Sequence, residues 1–321
     1  MISRYSLLIY LFCAGTSVFS QESPAFPPPK SMGSTETYGR NIQRTMTLLA
    51  DSTPEHRNTV KILFYGQSIT EQAWWKLVAD DLRRRFPHAN LNIQNRAIGG
   101  FSSQILVKTA DTDLYPFYPD LIIFHVYGSH IEYENIFRRI RERTTAEILQ
   151  QTDHVTRDAD LNEEMNPARL SPKQWNAWMN HVFLPSISKK YGTELVNQRE
   201  LWKKYLKDYS LPAPNLLSDS VHLNNHGCFL MAEIVKAYLR HDPKISSDDF
   251  KDRVKTYQVG RDLPWKNGKL TLEFEGNRVD AIYQEGSASP ASIRIDGKKP
   301  SEIPQLKALT RTTPYPGSHW P

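Results

Sequence analysis

The chain has 321 residues, 39% hydrophobic and 23% charged, with a formal net charge of +5. These proportions describe an ordinary soluble globular protein with room for one sizeable core and a smaller unit. The basic runs Arg83-Arg84-Arg85, Arg138-Arg139 and Lys203-Lys204 each sit at helical spacing near carboxylates, the pattern of solvated helix faces, which argues against a nucleic-acid-binding patch.

Residues 1–20 read as an export signal: Arg4 supplies the positive start, Leu7 to Phe12 the apolar stretch, and Val18-Phe19-Ser20 a small-residue cleavage site before Gln21. The apolar run is too short for a membrane span. A secreted or periplasmic location is therefore expected. Cys13 would leave with this segment, so Cys228 would have no intrachain disulfide partner and reads as a buried small hydrophobe. Pro24 to Pro29 is expected to be extended and Thr35–Ala50 helical, closed by Pro54. Residues 21–57 thus form a linker and helix ahead of the main domain.

From Val60 the rhythm changes. Lys61–Tyr65, Leu91–Asn95, Leu121–Val126, Glu147–Gln151 and Glu194–Asn197 read as short buried strands. Gln72–Phe86, Tyr133–Arg143, Pro172–Tyr191 (kinked near Pro185) and His226–Leu239 read as helices between and after them. Alternation of this length predicts an α/β domain over 58–241, with a five-stranded parallel sheet covered on both faces and ligands bound beyond the carboxyl ends of its strands. Residues 242–321 read as a β-rich appendage, with strands expected at Lys269–Phe274, Arg278–Tyr283 and Ala291–Ile295.

Three short blocks carry possible chemistry. Gly66-Gln67-Ser68-Ile69-Thr70 follows the first strand and precedes a helix. Ser68 or Thr70 could simply cap that helix, or Ser68 could be a nucleophile awaiting a base. Asp219-Ser220-Val221-His222 precedes the last helix. Asp and His three apart can pair so that the carboxylate orients the imidazole, or they can be a surface turn before a helix capped by Asn224 or Asn225. Asn95-Arg96-Ala97-Ile98-Gly99-Gly100 follows the second strand, where paired glycines give either a tight turn or a close backbone N–H donor.

In order and spacing, and in place relative to the strands, the three blocks resemble the SGNH/GDSL hydrolase family over roughly residues 60–239. The resemblance implies a three-layer flavodoxin-like fold, Ser68 as nucleophile, His222 as general base oriented by Asp219, and the Gly100 N–H as an oxyanion donor. One block departs. Where the family has G-x-N-D after the third strand, this chain reads Tyr127-Gly128-Ser129-His130, which sets His130 where the oxyanion-binding Asn is expected. The signature Tyr65 to Thr70, with His125 to Gly128, is similar to a bacterial subgroup of secreted proteins associated with polysaccharide use. The implied activity is hydrolysis of an acyl ester, such as an acetyl group on a carbohydrate; the alternative is a fold-keeping carbohydrate-binding or structural module with impaired catalysis.

Neither metal nor cofactor is expected. His125, His130, Asp153, His154, His222 and His226 lack metal-ligand spacing, and there is no Walker or G-x-G-x-x-G sequence. Trp74, Trp75, Tyr127 and Tyr133 are candidates for stacking on a sugar, weighed against a place in the core.

Overall fold

The computed structural model describes residues 26–162, 174–246, 255–276, 279–281 and 290–303. The expected signal segment lies outside these residues, as does half of the expected strand Arg278–Tyr283. Five strands, β1 (Thr59–Gly66), β2 (Asn90–Asn95), β3 (Leu121–His125), β4 (Glu147–Gln151) and β5 (Glu194–Val196), form one sheet. Every pairing is parallel and the order is β2-β1-β3-β4-β5. The helices are α1 (Gln43–Ala50), the four-residue α2 (Ser68–Glu71), α3 (Trp74–Arg85), α4 (Ser103–Asp113), α5 (His130–Arg143), α6 (Trp175–Trp178), α7 (Leu184–Tyr191), α8 (Gln198–Asp208) and α9 (Asn225–Tyr238).

Side chains alternate across a strand, so a sheet buried on both faces feeds two cores. Ile62 and Phe64 of β1, with Leu121 and Ile123 of β3, pack with apolar residues of α1, α3, α8 and α9. Leu63 and Tyr65, with Ile122 and Phe124, pack with α4, α5 and α7 on the opposite face. The result is the expected three-layer α/β/α arrangement. Cys228 of α9 is buried in the first core, and that burial raises its thiol pKa. Among the described residues no helix is long and apolar enough to cross a membrane.

The strands fall within one or two residues of their expected bounds, whereas the helices differ more. Amphipathic α4 and α8 were not anticipated as elements. The expected Thr35–Ala50 helix begins only at Gln43, after a 3₁₀ turn at Arg40–Ile42. Its start is held by two buried carboxylates at the amino ends of the strands. Glu194 accepts from the Gly39 and Asn41 N–H groups at 2.9 Å each, and Glu147 accepts from Arg44 and Thr45 at 3.0 and 2.7 Å. These bonds satisfy donors that a helix start leaves free.

The helix expected from Pro172 with a kink near Pro185 is α6, a π-helical turn at Met179–Phe183, and α7 with its Pro in the first turn. Proline lacks an N–H and crowds the carbonyl four residues back, so the wider turn before it is the local accommodation. Ahead of α1, Phe26 stacks on His226, and the Tyr205 and Tyr209 hydroxyls donate to the Pro27 and Pro28 carbonyls, which lays this segment along α8 and α9. In the described parts of residues 255–303 no residue is buried, and pairing is limited to the isolated bridges Val259–Leu263, Lys266–Lys269 and Ile295–Lys298. The alternating stretch Lys269–Phe274 joins no sheet there.

Candidate active site

Strand order reverses at β1, whose neighbours β2 and β3 connect on opposite faces, and in such sheets the crevice opens at the carboxyl ends beside that reversal. Gly66 ends β1 there. A Cβ on Gly66 would lie 2.3 Å from both the His125 carbonyl and Thr70 Oγ1, so only glycine lets the chain turn this tightly against β3. Ser68 then opens α2. The N-cap is Gln67, not Ser68, and the Ser68 hydroxyl points elsewhere: its Oγ lies 2.9 Å from His222 Nε2. The helix-cap reading of Ser68 is therefore not what the structure shows.

Several side chains fix this turn. The Trp74 indole donates to the Ile69 carbonyl at 2.6 Å, and the Asn95 amide donates to the Thr70 carbonyl at 2.7 Å while its oxygen accepts from the Ala97 N–H. Gln67 Oε1 accepts from the Tyr127 N–H at 3.1 Å, tying the loop after β3 to the same turn.

His222 comes from a loop 154 residues away in sequence. Asp219 Oδ2 is 2.7 Å from His222 Nδ1, and Asp219 Oδ1 accepts from the Val221 and His222 N–H groups at 2.7 Å each. Those backbone donors first, and the imidazole after them, pull the Asp219 carboxyl pKa down to about 2. An ionised Asp219 can only accept, so Nδ1 carries the proton and the Nε2 lone pair faces the Ser68 hydroxyl. Asn224 separately caps α9 by accepting from the Gly227 N–H, so the pair and the capped turn coexist.

The structure sets Gly99 beside Ser68: a Cβ there would be 3.7 Å from Ser68 Cβ and 2.7 Å from Glu71 Oε2. Gly100 follows with φ of +76° and open space where a Cβ would lie. Gly128, with φ of +123°, presses on α4 so closely that a Cβ would meet Gln104 Oε1 at 2.4 Å. His130 begins α5 after the Ser129 cap, and its ring stands edge-on to Trp175, Trp178 and Phe183 at 5.3, 5.5 and 5.7 Å between centroids. Of the other aromatic candidates, Trp74 and Tyr133 are core residues, the latter donating to Gln150, while Trp75 and Tyr127 are partly buried.

The remaining histidines take separate places. His226 contacts Phe26 and Tyr205, and among the described residues no group of three potential metal ligands occurs. His154, buried after β4, puts Nε2 2.8 Å from the Val221 carbonyl and Nδ1 3.3 Å from the Tyr127 hydroxyl. A carbonyl cannot donate, so Nε2 carries the proton and Nδ1 accepts from Tyr127. Burial lowers the His154 pKa to about 4, and Arg199 and His222 add to the effect against the Val221 bond. His125 is wholly buried with neither ring nitrogen hydrogen-bonded, although Asp153 Oδ1 is 3.5 Å from Nε2; burial lowers its pKa to about 3. The sequence reading missed Gln72, whose amide grips Leu223 from both sides, and gave His154 no structural role.

Both buried histidines refuse protons that the unfolded chain accepts below its own value near 6.5. Their contribution is complete above that pH and falls as the pH is lowered towards about 4 and about 3, by at most about 1.4 kcal/mol per pH unit per histidine. Replacing His125 with Leu, which leaves no orphaned donor, should keep the fold and make the loss of stability between pH 6.5 and 4 shallower than in wild type. Urea unfolding across that range measures it; an unchanged slope would assign the acid sensitivity to other groups.

No protein-family model and no curated protein matches the chain. Among solved structures it is similar to an acetylxylan esterase from Geobacillus stearothermophilus, solved as a catalytic variant, at 14% identity over 58% of this chain and 96% of that one, with a TM-score of 0.49. A GDSL-like lipase, so described provisionally, from Parabacteroides merdae is 19% identical over 57% of this chain and 98% of that one, with a TM-score of 0.48. An alpha/beta hydrolase from the metagenome of Lake Arreo, Spain, is 17% identical over 58% and 98%, with a TM-score of 0.46.

Proposed function

We propose that the protein is a serine esterase of the SGNH/GDSL type. The observation that carries this reading is the unbroken relay from Ser68 Oγ through His222 to Asp219, at 2.9 and 2.7 Å, on the carboxyl edge of the sheet. Serine becomes nucleophilic only when a base takes its proton, and His222 offers a bare Nε2 at hydrogen-bond distance for that purpose. In the proposed reaction Ser68 Oγ bonds to the ester carbonyl carbon while its proton passes to Nε2. The carbonyl oxygen becomes an oxyanion, held by the N–H of Ser68, which has no intrahelical acceptor at the first position of α2, and by the N–H of Gly100. Collapse expels the alcohol, protonated by His222. Water, deprotonated by the same imidazole, then attacks the acyl-enzyme and releases the acid and free Ser68.

The proposed substrate is an acylated carbohydrate, for example an acetyl ester, handled outside the cytoplasm after removal of residues 1–20. Support comes from the signal-like sequence and from an aromatic wall in which His130, at the end of the loop after β3, packs against Trp175 and Trp178 of α6. Trp175 is 38% exposed, enough to offer a face to a sugar ring. His130 sits within that wall, so we assign it to substrate recognition.

Purified protein should react with a fluorophosphonate probe and hydrolyse aryl acetates, and Ser68→Ala should do neither. A folded wild type that is silent in both assays would sink the esterase reading in favour of a binding module. Asp219→Asn, which frees Nδ1 from its fixed protonation, should keep the fold and lower kcat by roughly 10³–10⁴-fold. Steady-state kinetics with circular dichroism checks both. For the aromatic wall, His130→Asn and Trp175→Ala should raise KM for acetylated oligosaccharides while leaving kcat on a small aryl acetate nearly unchanged. If His130→Ala instead costs about 10²–10³ in kcat on every ester while His130→Asn keeps it, His130 is an oxyanion donor.

A further inference from the structure

The loop that carries His222 has no helix or strand of its own between Leu216 and Asn225, yet the imidazole must hold its hydrogen bond to Ser68 across a long sequence gap. Asp219 does not anchor it, because Asp219 belongs to the same loop. Two side chains from elsewhere reach the residues on either side of His222. Gln72, four residues after the nucleophile and between α2 and α3, accepts from the Leu223 N–H at 2.9 Å and donates to the Leu223 carbonyl at 2.8 Å. One amide thereby pairs with both polar groups of one residue, as a neighbouring strand would. From the other side, His154 donates from Nε2 to the Val221 carbonyl at 2.8 Å. His154 is itself held: its Nδ1 faces the Tyr127 hydroxyl, and its carbonyl accepts from Arg199 at 3.1 Å.

The geometry points to Gln72 and His154 as a two-sided clamp that positions His222 against Ser68. Neither touches the reacting atoms, so both are positioning residues, and the assignment rests on the Ser68–His222 reading of the site. Gln72 matters in a particular way. It travels with the turn that bears Ser68, so the nucleophile and the base share one rigid connection. Misplacement of about 1 Å in such a pair can cost about 10²-fold in rate.

Gln72→Ala should fold, lower kcat on an aryl acetate by about tenfold or more, and leave KM within about threefold. Gln72→Glu gives a sharper readout. Its carboxylate can accept from the Leu223 N–H but cannot donate to the Leu223 carbonyl, whereas its protonated form can do both. The activity of Gln72→Glu relative to wild type should therefore rise as the pH falls towards the carboxyl range. A purely structural residue would give a constant ratio. His154→Gln, which retains a donor near the same point, should keep more activity than His154→Phe. Exchange of the Leu223 amide, followed by NMR or mass spectrometry, should be faster in Gln72→Ala than in wild type. Folded Gln72→Ala within about twofold of wild-type kcat, with unchanged exchange, would overturn the role of Gln72, and equal activity of His154→Phe and His154→Gln would overturn that of His154. If Gln72→Ala does not fold, the pH ratio of Gln72→Glu decides. An inactive wild type would remove the esterase reading alone, since amide exchange still reports the clamp.

Discussion

The parallel pairing of β1 with β3 governs where everything else in the site can stand. It brings Gly66 opposite His125, so closely that a side chain at Gly66 would overlap the His125 carbonyl. It also coincides with the reversal of strand order, because β2 pairs on the other edge of β1. The chain leaving β1 must turn at once, and Ser68 emerges at the mouth of the crevice between two diverging connections. Had a larger residue stood at position 66, the turn would have had to swing away from β3, and Ser68 with it.

The site is joined across loops chiefly by side-chain amides and one imidazole bound to backbone. Gln67 reaches the loop after β3, Asn95 reaches the turn after β1, Gln72 reaches the loop before α9, and His154 reaches that same loop from the segment after β4. Amides suit this work because they donate and accept at once and carry no charge to desolvate. The opposite end of the sheet uses carboxylates, Glu147 and Glu194, to hold the turn into α1. Burial raises the pKa of both despite the hydrogen bonds they accept.

Strands were legible in the sequence because a sheet buried on both faces leaves short, continuous apolar runs such as Leu121 to Phe124. Helices were less so. In α4 the run Lys108 to Asp113 dilutes the apolar stripe, and in α6 and α7 the proline splits one expected helix around a π turn. The Ser68, Asp219 and His222 blocks could be named from spacing and resemblance, and the structure brings those three side chains into line. Spacing could not reveal the clamp. Gln72 and Leu223 are 151 residues apart, and neither residue type marks a site. His130 shows the other limit: block alignment gives it a position in the chain, but only the fold shows that its ring is surrounded by Trp175, Trp178 and Phe183.

Exposure sets the terms on which the proposed Ser68–His222–Asp219 relay works. The side chains of Asp219 and His222 are 54% and 38% exposed, so the carboxylate faces water. Attraction between an exposed carboxylate and an imidazolium is screened, and Asp219 offers less charge stabilisation than a buried partner would. Its ionised state is instead secured by the two backbone donors of its own loop. What Asp219 supplies is therefore chiefly tautomer and direction, and direction is useful only if the loop is fixed relative to Ser68. In a site of this exposure the burden shifts from field strength to geometry, and geometry depends on groups that join separate elements. The bonds from Gln72 and His154 to the residues flanking His222 meet that need, because they tie an exposed loop to the turn after β1 and to the buried segment that follows β4.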